Sequence, residues 1–144
     1  MKLRTLILVL MLGLLPLSVL AASAAQQKQF ADNYRKALEA KDEKALHALL
    51  YAKDSDPEAL DMYKLLMTMG LDKPIESVEV HELTDEDRKD IAELTDMKMK
   101  PIKYNVEPVA KLEIVRGGTS KRTDRVFLAE HGGKLVIPVP RKAK

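Results

Sequence analysis

The chain has 144 residues, 24 Lys and Arg against 22 Asp and Glu, no Trp, six aromatic side chains and a hydrophobic content of 46%. This is the composition of one ordinary globular domain rather than of a disordered, collagenous or multispanning protein. The absence of Cys excludes disulfide scaffolds, thiol nucleophiles, Cys-ligated zinc, iron–sulfur clusters and Cys-linked lipid anchors.

The first 24 residues have the three parts of an export signal. Lys2 and Arg4 form a positive start, Leu6 to Leu20 is apolar, and Ala22-Ser23-Ala24 has the small-x-small pattern that signal peptidase accepts. The expected cut follows Ala24; one residue either side, or after Ala22, fits the pattern nearly as well. An uncleaved membrane anchor is the competing reading, but Gly13 and Pro16 sit within the apolar run. The expected destination is the periplasm or the exterior of a bacterial cell, with membrane contact only through the signal segment before cleavage. Both excess positive charges lie in this segment, so the remaining 120 residues carry 22 basic and 22 acidic groups and no net charge. Nucleic acid is not an expected partner.

Residues 25–140 read as a single α+β domain and 141–144 as a basic tail. Gln26 to Ala40 predicts a helix, with Phe30, Tyr34, Ala37 and Leu38 on one face. Asp42 can cap a short second helix with Ala45, Leu46, Leu49 and Leu50 inward. A third helix is signalled by Asp56 as cap, Pro57 in its first turn, and Gly70 just past its end. Leu60, Tyr63, Leu66 and Met67 form its predicted inner stripe.

From Ile75 the period becomes strand-like. Ile75, Val78 and Val80 predict a half-exposed strand, and Thr84 a cap for a short acidic helix to about Leu94, with Ile91 and Leu94 inward. Ile102, Tyr104 and Val106 predict a strand that continues, after a bulge or bend at Glu107-Pro108, through Val109, Leu112 and Ile114. Val126 to Leu128 predict another strand. Gly132-Gly133 predicts a hairpin turn, and Leu135, Val136, Ile137 and Val139 a last strand, which Pro138 and Pro140 mark as an edge or as ending there. Helices first and strands later argue for N-terminal helices packed on a curved antiparallel sheet of about four strands.

Two stretches carry a family resemblance. Phe30-Ala-Asp-Asn-Tyr34-Arg-Lys-Ala37-Leu38-Glu-Ala-Lys41-Asp42-Glu-Lys-Ala45-Leu46-His-Ala-Leu49-Leu50 resembles the opening of the nuclear transport factor 2-like, cystatin-like superfamily. Arg125-Val126-Phe127-Leu128-Ala-Glu-His-Gly132-Gly133-Lys134-Leu135-Val136-Ile137 is similar to its closing hairpin, with Leu135 where the family usually has Trp. The resemblance implies a cone-shaped α+β fold. It does not choose a function, because the superfamily contains isomerases, dehydratases and non-enzymatic proteins.

Few residues point to chemistry. His47, His81 and His131 lack metal-ligand spacing, so no metal or cofactor is expected; His47 and His131 read as surface residues. Met62, Met67, Met69, Met97 and Met99 read as core filling rather than as soft-metal ligands. Gly117 to Arg122 reads as a solvated hairpin loop, with anion binding as the sharper alternative. Tyr34 and Tyr104 fall at inward phases and are the candidate ligand-binding residues. No nucleophile motif occurs and no catalytic residue is assigned.

Charge is segregated: residues 76–96 carry two basic and nine acidic groups, and residues 97–144 twelve basic and four acidic. Mutual neutralisation within the fold is the expected use of this layout, and steering of a charged partner the alternative. The leading functional expectation is an exported, non-enzymatic binding or interaction protein. Its partner would be another protein, a small ligand or a second copy paired through the sheet. A small cone-type isomerase or lyase with a buried acid–Tyr site is the runner-up.

Overall fold

A computed structural model describes residues 22–141. Most of the expected export segment and the last three residues of the expected tail lie outside the described residues. Among the described residues no helix is long and apolar enough to cross a membrane.

Helix α1 (Ala24–Glu39) starts two residues earlier than predicted because Ser23 caps it. The Gln26 N–H donates to Ser23 Oγ, and the Ser23 N–H donates back to Gln26 Oε1 at 2.8 Å. This reciprocal pair satisfies two backbone donors that a helix start leaves free. Phe30, Tyr34, Ala37 and Leu38 form its buried face, as their spacing predicts. Asp42 caps α2 (Glu43–His47), and Asp56 caps α3 (Pro57–Thr68) by accepting from the Ala59 N–H. Gly70 takes φ +76° just past α3, a conformation that costs a residue with a Cβ about 1 kcal/mol.

The four strands β1 (Ile75–Glu82), β2 (Pro108–Arg116), β3 (Arg122–His131) and β4 (Lys134–Val136) form an antiparallel meander in the order β1-β2-β3-β4. The sheet is curled into a half-barrel with the helices packed against it, the α+β architecture that the sequence predicts. Register shifts between Ile75 and Ser77 and between Pro108 and Ala110 mark the irregularities. Bulges of this kind sharpen local twist and bend.

One face of the sheet makes the core. Leu112, Ile114 and Leu128 are fully buried there with Leu38, Leu46, Ile137 and Val139, and Val78, Val80 and Val126 pack at the margin. Burial of the alternate residues of β2 follows the two-residue period of a half-buried strand.

Parts of two predicted strands are absent from the observed sheet. Ile102 to Val106 is not a strand; β2 begins only at Pro108. The Asn105 side chain instead ties the segment down, with Nδ2 donating to the carbonyls of Tyr51 and Lys53 and Oδ1 accepting from the Val139 N–H. A side chain that satisfies local backbone groups competes with a sheet ladder. The last strand takes the earlier of its two expected ends and stops at Val136, because Ile137 bonds to Leu49 and Tyr51 instead of to β3.

Helix α4 (Asp85–Ala92) lies on the other face of the sheet, held by a carboxylate. Asp87 is only 1% exposed. Its Oδ2 accepts from the Thr84 N–H and Oγ1, both at 2.8 Å, and from Lys111 Nζ at 3.0 Å; its Oδ1 accepts from Arg125 Nη1 at 2.6 Å. Arg125 also donates to Asp90, and Lys111 pairs with Glu113. The acidic stretch and the basic sheet thus neutralise each other within the fold. Burial alone pushes the Asp87 carboxyl up, but the Thr84 donors and the Lys111 ammonium together hold it well below the usual carboxylate range.

A carboxyl held below its unfolded value stabilises the fold above about pH 4, and that contribution is lost as pH falls through the folded value. Asp87→Asn is expected to destabilise by roughly 3 kcal/mol near neutrality, as for removal of one partner from a buried ion pair. The variant is also expected to flatten the fall in Tm between pH 5 and about pH 2, which thermal melts across that range would measure.

Candidate functional site

The site grows from the point where β4 ends. His131 and Lys134 flank a two-residue turn in which Gly132 and Gly133 take φ +59° and +74°, the left-handed pair that suits a tight hairpin. In such a hairpin the flanking residues exchange backbone hydrogen bonds, and pairing then alternates along the strand. His131 and Ala129 therefore turn their backbone groups toward β4, and by the same alternation so do Phe127, Arg125 and Thr123. The even-numbered residues of β3 turn toward β2. The Gly117 N–H bonds to Pro74 O on the β1 side, which fixes the same alternation on β2.

Beyond Val136, β4 abandons β3. The Ile137 N–H donates to Leu49 O, and Ile137 O accepts from the Tyr51 N–H. Pro138 and Pro140 have no N–H to offer a ladder. Val139 and Arg141 bond to Asn105 and Lys103 instead. The edge of β3 from Arg122 to Leu128 is left without a neighbouring strand.

A cleft of about 690 Å³ lies along that edge. Its lining includes six consecutive residues, Arg122 to Phe127. Side chains alone would line it with every second residue, so the backbone edge itself faces the cavity. Helix α3 supplies Tyr63, Leu66 and Met67 on the other side, with its cap residue Met69, and Tyr34, Arg116 and Tyr104 also line it. The volume falls in the range of pockets that hold small ligands.

The polar groups are arranged unevenly. Arg116 is 5% exposed; its Nε donates to Asp124 Oδ2 and its Nη1 to Gly70 O, both at 2.9 Å. Nη2 has no partner among the described residues. The Tyr34 hydroxyl, on a residue 2% exposed, has none either. Among the described residues no fully buried polar side-chain atom is left unpaired, so both groups reach the cavity. Burial pushes the Tyr34 phenol up to about 12, with the Arg116 charge opposing and Asp124 reinforcing. It is a neutral hydrogen-bond donor at physiological pH.

Tyr104 and Tyr63 meet hydroxyl to hydroxyl at 3.5 Å, and burial raises both phenols. Tyr104 also meets Phe127 edge-on, and the Arg125 guanidinium lies 4.9 Å above the Phe127 ring. Asp124 is the inner acid. Its two oxygens accept from Arg116 Nε and from Arg122 Nε at 2.6 Å.

The structure places both predicted site residues, Tyr34 and Tyr104, on this cleft, and adds residues that the sequence did not mark. Arg116 reads as an ordinary strand cation until the sheet buries it. Leu66, expected inward, is 55% exposed over the cleft, because Tyr63 and Met67 take the inward positions of α3. Met62, Met69, Met97 and Met99 are exposed rather than core filling; among the described methionines Met67 is the buried one. The core is already filled by branched aliphatic residues from the sheet. His131 is exposed, but His47 is half-buried and its ring nitrogen contacts Lys64 O at 3.3 Å, linking α2 to α3. The cations of the 117–122 loop are engaged, Lys121 with Glu76 and Arg122 with Asp124, so they do not form a free anion site.

Comparison with family models, curated proteins and solved structures gave no match to this chain. The geometry therefore carries the functional argument.

Because the Tyr34 hydroxyl has no partner among the described residues, Tyr34→Phe is expected to change stability by less than about 0.5 kcal/mol in urea denaturation. Arg116→Met, which removes two made hydrogen bonds and leaves Asp124 short of a partner, is expected to cost about 2 kcal/mol in the same assay.

Proposed function

We propose that this chain is an exported, non-enzymatic binding protein on a cone-shaped scaffold of the nuclear transport factor 2-like kind, and that the cleft beside β3 is its ligand site. The observation that carries the reading is a pair of cavity-facing donors, Arg116 Nη2 and the Tyr34 hydroxyl, that have no partner among the described residues, in a cavity walled by Leu66, Met67 and Phe127. A ligand carboxylate that replaced solvent at both donors would make charge-assisted hydrogen bonds, each contributing about 1.5–3 kcal/mol. A cationic donor beside a neutral one favours a carboxylate, and the walls favour an apolar body behind it.

The binding reading is favoured over the isomerase or lyase reading by Asp124. Both of its oxygens are engaged by guanidinium groups, and a general acid or base must be free to exchange a proton with substrate.

Decanoate, a carboxylate with a flexible apolar tail, is a direct probe. It is expected to bind measurably by titration calorimetry, and Tyr34→Phe, which leaves the fold intact, to weaken binding about fivefold to tenfold. Equal affinity of the variant, or no binding by decanoate or by any larger acidic ligand, would refute the assignment of the cleft.

Export has its own test. The mass of the chain recovered from the periplasm is expected to correspond to a start at Ala25. A start at Ser23 would retain the α1 cap, and Ser23→Ala would then cost about 1 kcal/mol. Recovery of the uncleaved chain would contradict the export reading.

A further inference from the structure

We infer that the cleft takes an extended polypeptide, which adds as a strand to the open edge of β3 and sends an acidic side chain inward to Arg116 and Tyr34. The inference rests on the cleft being a ligand site and names the class of ligand.

The first support is the backbone. Thr123, Arg125 and Phe127 turn their N–H and C=O groups into the cleft, and among the described residues none of them has a backbone partner outside the β2–β3 ladder. A compact ligand would leave this row of donors and acceptors without matching partners. An extended peptide matches it, because its own groups repeat at the same spacing. Seven residues of open edge, Arg122 to Leu128, span about 23 Å, room for a peptide of about five residues.

The second support is charge. The cations on the lining, Lys73, Arg116, Arg122 and Arg125, outnumber the acids, Asp72 and Asp124. Of these Lys73 makes no ion pair among the described residues, and Arg116 keeps a free donor. An acidic strand is therefore attracted, and it meets a deep anchor where its central side chain enters.

The same charges disfavour pairing of β3 with a second copy of itself. Antiparallel pairing of two identical edges centred on Arg125 sets the two guanidinium groups opposite each other, and like charges opposed across strands destabilise the pair. Charged edges are a usual device against self-association. Here the device rejects the chain's own edge while leaving a complementary acidic strand acceptable. Alternation supplies the rest of the specificity. If one side chain of the incoming strand points inward, its two neighbours point to the opposite face, where Phe127 and Tyr104 present aromatic surface.

The test uses the full chain as processed by its host, with two probes. One is a library of acetylated, amidated peptides of about five residues with Glu fixed at the centre and Val, Ile, Leu, Phe or Tyr on either side. The other is decanoate. Members of the library are expected to bind. N-methylation of the backbone at alternate residues, those facing β3, is expected to weaken binding about tenfold, with less than about threefold loss at the intervening residues. Thr123→Pro, which removes one edge donor and leaves the β2 ladder intact, is expected to weaken the peptide and not decanoate.

Binding of decanoate with no binding by any library member would overturn the strand inference and leave the cleft as a small-ligand site. So would peptide binding that is indifferent to N-methylation. Binding of neither probe would overturn the cleft assignment itself. A stable dimer in sedimentation, blocked by Thr123→Pro, would assign the edge to a second copy and overturn the inference.

Discussion

Much of this structure depends on a change of hydrogen-bonding partner at one residue. At Ile137 the chain stops pairing with β3 and gives both of its backbone groups to Leu49 and Tyr51. That exchange ties the C-terminal segment to the turn between α2 and α3. It seats Ile137 and Val139, both fully buried, in the core beneath the helices. It also uncovers β3. A sheet that continued to pair through Val139 would have a closed edge here and no cleft. The opening is stable because the departing segment finds other partners for its groups, so no buried backbone hydrogen bond is sacrificed to make it.

Two charged centres hold the sheet on either side of that opening. Arg116 joins the end of α3, at Gly70, to Asp124 on β3, and so sets how far the helix stands from the edge. Asp87 joins α4 to β2 and β3 on the opposite face. Its partner Arg125 lies over the Phe127 ring, and Phe127 packs on Tyr104, so the network reaches the cleft wall from behind. The negative stretch and the positive sheet are thereby used inside the fold. What remains on the cleft is a small positive excess with one deep guanidinium, a better basis for selecting a ligand than a diffuse surface field.

Periodicity made most of the architecture legible. The inward face of α1, Leu112 and Ile114 on β2, the caps at Asp42, Asp56 and Thr84, the Gly70 end of α3 and the Gly132-Gly133 hairpin all follow from local spacing and turn chemistry, whereas Val109, read with Leu112 and Ile114, is exposed. The missing strand segments have a common cause, which is competition from partners distant in sequence. Ile102 to Val106 alternates like a strand, but Asn105 finds carbonyls at Tyr51 and Lys53. Leu135 to Val139 is apolar enough for a strand, but Ile137 finds Leu49 and Tyr51. Tyr34 and Tyr104 were visible as inward aromatics. Arg116 and Asp87 were not, because a lone cation or carboxylate in a charged sequence reveals its burial only when the fold assembles partners around it. The two prolines at 138 and 140 were the available signal for the open edge, and they marked the end of the ladder without showing which strand it would expose.

The central claim is that β3 has a free edge on which alternate backbone groups face the cleft. Amide hydrogen exchange of the unliganded protein, read residue by residue, tests it most directly. The account predicts slow exchange at Asp124, Val126 and Leu128, whose N–H groups bond to β2, and fast exchange at Thr123, Arg125 and Phe127 between them. Uniform protection from Thr123 to Leu128 would contradict it, because the edge would then already be paired.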